Sequence, residues 1–212
     1  MNLLKSFLKI WKKEENLFDE NITIEETRFV VLDTETTGLD YDNDRILCIG
    51  ALVLQKNSIV VQDSLEIYIQ QEHYEKSTAQ IHGILKDFVV TKPTEIEALQ
   101  QLLDLLGNSI IIAHHTIFDI TMINRALERN GLPILINKTL DTSYLYKKTL
   151  IESHLFERKN NYSLDDLADK LDISKKDRHT ALGDAYITAI AFLKIVKKLK
   201  EKKNVNLNYL FK

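Results

Sequence analysis

Five side chains in this 212-residue sequence have types and spacings that suit chemistry: Asp33, Glu35, Asp119, His179 and Asp184. Asp33 and Glu35 directly follow the most apolar run in the chain, Phe29-Val30-Val31-Leu32. On an extended backbone, residues i and i+2 point to the same face, so both carboxylates leave one side of one strand. Like charges so placed cost energy unless something positive sits between them. Thr36-Thr37-Gly38 then turns the chain. A turn accounts for one Asp but not for Asp-x-Glu at the end of a buried strand. Asp119 follows a second apolar run, Ile110 to Ala113, and begins a helical pattern. Asp184 lies one turn into the last helical pattern, five residues after His179. Taken singly, both read as ordinary first-turn acids. Together, three acids behind two buried strands reach one edge of an α/β sheet, and a closing helix can bring the fourth acid and the histidine across that edge. Four carboxylates share a site only with cations, and all-oxygen ligation selects Mg²⁺ or Mn²⁺ over Zn²⁺. Two such ions about 3.5–4 Å apart form a clamp for in-line phosphoryl displacement. A nearby histidine, titrating near neutrality, is the natural general base for the attacking water.

The elements that must position these groups follow from periodicity. Arg28 to Leu32 reads as a central buried strand, Ile46 to Leu54 as a second and Ile59 to Ile69 as a third, with a hairpin at Asn57-Ser58. Ile96, Leu99, Leu103 and Leu106 then repeat at helical spacing until Gly107. Ile110 to Ala113 is a buried strand, followed by a helix from about Phe118 with Ile120, Ile123 and Leu127 inward, ended by Gly131 and Pro133. Leu135 to Leu140 reads as a fifth strand. Ser163 to Asp166 resembles a capping box. The last long helix starts near Ala181 with the stripe Ala185, Thr188, Phe192, Ile195 and Leu199, and its terminal lysines suit the negative helix end. The order βββαβαβα predicts an α/β fold, a mixed five-stranded sheet flanked by helices.

Composition fits a soluble globular protein: 44% apolar, 28% charged, only 6 glycines and 2 prolines, net charge −3. That excludes collagen-like and Gly/Pro-rich disordered chains, and the charge neither demands nor excludes nucleic acid. Cys48 is the only cysteine, so no internal disulfide forms and a reducing, cytoplasmic setting is expected. No apolar run reaches membrane-spanning length. Residues 1–27 read as an amphipathic helix (Leu4, Phe7, Leu8, Trp11) and a polar linker, 28–203 as the main domain, and 204–212 as a tail.

Three stretches carry a family resemblance. Phe29 to Leu39 resembles the first motif of the DEDD exonucleases, Ala113 to Asp119 the second, and Arg178 to Ala185 the third. The histidine five before the final Asp is as in the DEDDh branch; Thr180 stands where a tyrosine would mark the other branch. The likeness covers about residues 28–200 and points to the DnaQ-like group, which includes the proofreading subunits of bacterial DNA polymerase III and stand-alone relatives. It implies an RNase H-like fold and stepwise 3′→5′ release of nucleoside 5′-monophosphates from DNA. It implies two Mg²⁺ or Mn²⁺ held by Asp33, Glu35, Asp119 and Asp184, with His179 as general base. The backbone of Thr36, Thr37, Gly38 and Leu39 would hold the 3′ end, Leu39 would wedge against the terminal base, and His82, His114 and Phe118 would line the nucleotide site. Partners so implied are single-stranded or frayed DNA 3′ ends, with RNA and a polymerase or clamp as further candidates. His115 departs from the usual Asn of the second motif. Asp141 reads as a helix cap. The rival readings are a 3′→5′ exoribonuclease and a non-catalytic 3′-end-binding accessory. Gln101 to Leu106 loosely resembles a clamp-binding segment, although its leucines belong to a helix core stripe.

Overall fold

A computed structural model of the chain describes residues 23–71, 83–84, 91–150, 159–202 and 204–212. Five strands carry the fold: β1 (Phe29–Thr36), β2 (Ile46–Gln55), β3 (Ser58–Tyr68), β4 (Ile110–Ala113) and β5 (Thr139–Asp141). They form one sheet in the order β3-β2-β1-β4-β5. β1, β2 and β3 pair antiparallel, whereas β4 runs parallel to β1 and β5 parallel to β4. The carboxyl ends of β1, β4 and β5 therefore share one edge, where sites form in sheets of this kind. The β2–β3 hairpin turns at Lys56 and Asn57, both left-handed (φ 52° and 58°). A two-residue turn of this hand matches strand twist, so Ser58 opens β3 rather than closing the loop.

Side chains of β1 alternate between two cores. Val30 and Leu32 pack with the buried face of α1 (Glu95–Leu106), with α2 (Ile117–Arg129) and with the adjoining face of β2. Phe29 and Val31 pack with α5 (Ala181–Lys202) and with α3 (Thr142–Thr149). The Phe29 and Phe192 rings lie 5.2 Å apart. Truncating so buried a ring as Phe192 costs about 3–5 kcal/mol. All five residues of the stripe read for the last helix are buried. In α1, Ala98 and Leu102 take inward places, and Ile96 is only partly buried. Leu102, Leu103 and Leu106 of the clamp-like segment are committed to the core. Capping boxes open α1 (Thr94, Glu97) and α4 (Leu164–Lys170; Ser163, Asp166).

One expectation shifts. The fifth strand was expected over 135–140 but spans only Thr139–Asp141. Leu135 N–H donates to Asn124 Oδ1, and Asn137 donates to the carbonyls of Gly107 and Ser109, so side chains hold residues 135–137 and the ladder begins where Lys138 O accepts Ile111 N–H. The α5-side core also takes in residues before 28 and after 203. Ile24 is buried in the α5-side core behind a Thr23–Glu26 turn. Val205, Leu207 and Leu210, around α6 (Leu207–Phe211), are buried in the same core. The amphipathic pattern of residues 4–11 lies outside the described residues. Among the described residues, no helix is long and apolar enough to cross a membrane.

Candidate active site

Alternation along β1 decides where each acid goes. Asp33 and Glu35 continue the Phe29–Val31 face toward α5, and Thr34 continues the opposite face toward α2. Opposite Asp33 in the ladder stands Gly50. A Cβ there would lie 2.2 Å from the Ala181 carbonyl carbon and 2.3 Å from Leu182 N. Only glycine lets the first turn of α5 rest directly on β2. A Cβ at Gly183 would fall 1.9 Å from the Asp177 carbonyl oxygen, so that residue admits the tight entry into the same helix. Asp184, one turn into α5, is thereby lowered over β1. Ligand oxygens of Asp33, Glu35 and Asp184 lie within 4.8 Å of one another.

Asp119 reaches the cluster from the other side. It lies buried in the first turn of α2, and its Oδ1 accepts both the Thr34 N–H (2.9 Å) and the Thr34 hydroxyl (2.7 Å). The carboxylate is thus fixed to β1 between the two acids of the Asp-x-Glu pair. It stands outside the three-acid group, yet its charge acts on Asp33. The electrostatics are those of acids forced together. Burial, then Asp119, Asp184 and Glu35, drive the Asp33 carboxyl well above its usual range. Burial and the Asp184 charge push Glu35 up to about 7. Burial lifts Asp119 to about 7 against the opposing Thr34 hydrogen bonds. Asp184 is also raised by burial, against the pull of Arg178.

Arg178 carries no site signal of its own in the sequence. Its Nη1 donates to Asp184 Oδ2, while its Nε and Nη2 grip Asp165 at 2.9 and 3.1 Å. Written in a run of charges, Lys175-Lys176-Asp177-Arg178, it looks like solvated surface; only its place beside His179 marks it. His179 is exposed and left-handed (φ 64°), and its backbone N–H donates to Asp184 Oδ1 at 3.3 Å. Among the described residues its imidazole makes no hydrogen bond, so both ring nitrogens are available.

The β1–β2 loop beside the acids is internally braced. The Thr37 hydroxyl and the Asp40 N–H donate to the Asp44 carboxylate, and the Thr36 hydroxyl donates to the Gly38 carbonyl. It holds Leu39 81% exposed. Phe118 is partly buried, with the Tyr41 ring 5.8 Å away; Tyr41, like Gly50, had not been marked. His114 is buried, its Nδ1 2.9 Å from Thr142 Oγ1, and burial followed by His115 drives its pKa down to about 4, so it is neutral. Among the described residues His114 Nε2 has no partner. His82 lies outside the described residues, but Ile84 of the same segment is buried against Leu47, Cys48 and Ala181 at the start of α5. His115 is left-handed (φ 57°), a conformation that Asn and His tolerate better than most residues. The Asn-to-His departure therefore meets the backbone need, and Asp119 is held by Thr34 instead. Asp141 caps α3 through Tyr144 N–H and also accepts Thr116 N–H, as a structural residue would.

Residues 30–192 match the exonuclease family model RNase T. The DNA polymerase III PolC-type of Thermotoga maritima is 36% identical over 188 residues, 88% of this chain and 13% of that protein. That of Caldanaerobacter subterraneus is 33% identical over 177 residues, 83% of this chain and 12% of that protein. The chain thus spans only 12–13% of the length of these relatives. Among solved structures, E. coli exonuclease I with a dA16 oligonucleotide superposes at a TM-score of 0.69 and 18% identity, over 84% of this chain and 42% of that one. Exonuclease X with 5′-overhanging duplex DNA does so at 0.62 and 21%, over 86% and 98%. At these identities the structural likeness establishes the fold, which is RNase H-like.

Proposed function

This chain belongs to the RNase T exonuclease family, and from that premise we propose that it is a divalent-metal-dependent 3′→5′ exonuclease of DNA ends. The observation that carries the reading is the convergence of Asp33, Glu35 and Asp184 within 4.8 Å, with Asp119 fixed beside them by Thr34. Their donor set is all carboxylate oxygen, which fits hard ions such as Mg²⁺ or Mn²⁺. Carboxyls raised toward neutrality fit the same role, because a divalent ion relieves the repulsion that raises them. Asp33, Glu35, Asp119 and Asp184 hold two such ions in this reading. When bound, the ions offset the charge that builds on phosphate oxygens during in-line displacement.

The chain's own residues do the rest. His179, exposed and with free ring nitrogens, takes the proton of the attacking water and returns it to solvent. The braced Thr36–Leu39 backbone orients the terminal nucleotide, and exposed Leu39 abuts its base. Phe118, backed by Tyr41, offers a ring face for stacking, the sequence-tolerant contact that suits an enzyme removing any nucleotide. His114 belongs to the nucleotide site in this reading, and the family resemblance assigns His82 the same role. DNA is preferred to RNA because the PolC-type relatives are DNA polymerases. Single-stranded or frayed 3′ ends are the substrate form, and a polymerase is the fitting partner.

The test is a panel of 5′-labelled single-stranded, paired, mismatched and RNA oligonucleotides, digested by wild type and Asp33→Ala with Mn²⁺ or EDTA. Stepwise shortening of DNA from the 3′ end, lost in EDTA and in the variant, is expected. Asp33→Ala activity equal to wild type would overturn the site assignment. Faster RNA shortening would make the enzyme an exoribonuclease, and binding without shortening would make it an accessory.

A further inference from the structure

Asp33, Glu35 and Asp184 converge beside a single guanidinium, with Asp119 just outside the group. Among the described residues, Arg178 is the one cation paired with any of them, and its Nη1 sits on Asp184 Oδ2. Resting on the metal-holding reading above, we propose that Arg178 is a built-in counter-cation that yields Asp184 to an incoming divalent ion and is retained by Asp165. The guanidinium fork divides its donors between two acids. Nε and Nη2 bind Asp165 in parallel, the bidentate geometry that holds arginine best, and only Nη1 turns inward. Asp165 lies in the first turn of α4, where the helix end favours a carboxylate, and its side chain is 47% exposed. Asp184 is 9% exposed. One end of the bridge is therefore wet and outside the cluster, and the other is dry and within it.

A metal ion and a guanidinium compete for Asp184 in both space and charge. Without metal, Arg178 supplies positive potential to Asp33 and Glu35 as well as to Asp184, which keeps the acids assembled. With metal, the inner hydrogen bond breaks while the outer pair persists. The arginine then stays tethered beside the site instead of repelling the ion at contact distance. Arg178 is thus a positioning residue that sets how tightly the site takes its ions.

The test measures Mn²⁺ binding by titration calorimetry on the full chain, for wild type, Arg178→Gln, Asp165→Asn and the double variant, with circular dichroism to verify the fold. Arg178→Gln removes the competitor and should bind Mn²⁺ tighter by on the order of tenfold or more. Asp165→Asn takes away the alternative partner, leaves the guanidinium on Asp184, and should weaken binding. In the Arg178→Gln background the Asp165→Asn effect should largely vanish. Arg178→Lys keeps the charge but loses the bidentate grip on Asp165, so it should bind Mn²⁺ more weakly than wild type; this outcome carries the test if Arg178→Gln fails to fold, and wild-type binding by Arg178→Lys would overturn the tether. Unchanged or weaker binding by Arg178→Gln overturns the proposal. So does an Asp165→Asn effect of equal size in both backgrounds, which would be charge at a distance. A wild type that binds no Mn²⁺ overturns this proposal and the metal reading together. Binding that follows the cycle without any hydrolysis would sink the nuclease and leave the role of Arg178 standing.

Discussion

Gly50→Ala adds one methyl group at the point where the sheet carries the helix that bears Asp184. The new carbon would stand 2.2 Å from the Ala181 carbonyl carbon and 2.4 Å from its oxygen. Both are backbone atoms within α5 and cannot swing aside. Carbon atoms rest at about 3.5 Å, so α5 must back away by roughly 1 Å. Asp184 rides on that helix and would withdraw from Asp33, the ladder partner of Gly50. Overpacking of this kind costs about 1–3 kcal/mol. A catalytic group misplaced by about 1 Å costs on the order of 10²-fold in rate. Scanning fluorimetry in EDTA should show a melting point several degrees lower, and initial rates on a labelled oligonucleotide should fall about a hundredfold. Gly131→Ala separates the two effects. A Cβ there meets open space, but its φ of 67° is left-handed. That variant should lose about 1 kcal/mol and no rate. If Gly50→Ala hydrolyses at the wild-type rate, the contact does not position Asp184 and the reasoning fails.

The raised carboxyls make the metal-free fold pH-sensitive. Glu35 and Asp119 titrate near 7 when folded and near 4 when unfolded, so the folded state binds more protons and stability falls as pH rises from about 4 through 7. Melting points in EDTA should therefore drop between pH 5 and pH 8, by roughly 4–8 °C for a 2 kcal/mol loss. Mn²⁺ should abolish the drop; a flat profile in EDTA would contradict the assembled cluster. His179→Asn keeps a residue that tolerates the left-handed backbone, so the melting point should hold while the rate falls by about 10²–10⁴. A rate within twofold of wild type would exclude His179 as the base. His115→Asn should leave rate unchanged and melting within about 1 °C, because both residues accept that backbone. A large rate loss would mean that the His115 ring contributes to the reaction.

The pattern of residue types carried the sheet and the acids but not the contacts that set their geometry. β1 and α5 were legible because their apolar periods are strong, and Asp33 and Glu35 because alternation alone puts them on one face. The Asp119–Thr34 hydrogen bonds join residues far apart in sequence, so no local pattern announces them. Arg178 hid in a charged loop, where arginine is common. Gly50 hid inside an apolar strand, since its contact with Ala181 exists only once α5 has docked. The short β5 escaped because Asn124 and Asn137 bind the backbone with side-chain groups, which hydrophobic period cannot register. The burial of Val205, Leu207 and Leu210 was not legible because α6 is too short to show a helical period.

The docking of α5 on β1 and β2 also sets a schedule for synthesis. Asp33 and Asp184 are 151 positions apart in the sequence. At about 5–20 residues per second, the nascent sheet waits roughly 8–30 s for its covering helix to leave the ribosome. Throughout that interval Phe29 and Val31 face water, and the two β1 acids have neither Arg178 nor Asp184 for company. A chaperone binding the emerging chain would find this bare apolar face with the carboxylates at its end. Translation slowed after β1 should lengthen that exposure and lower the soluble yield.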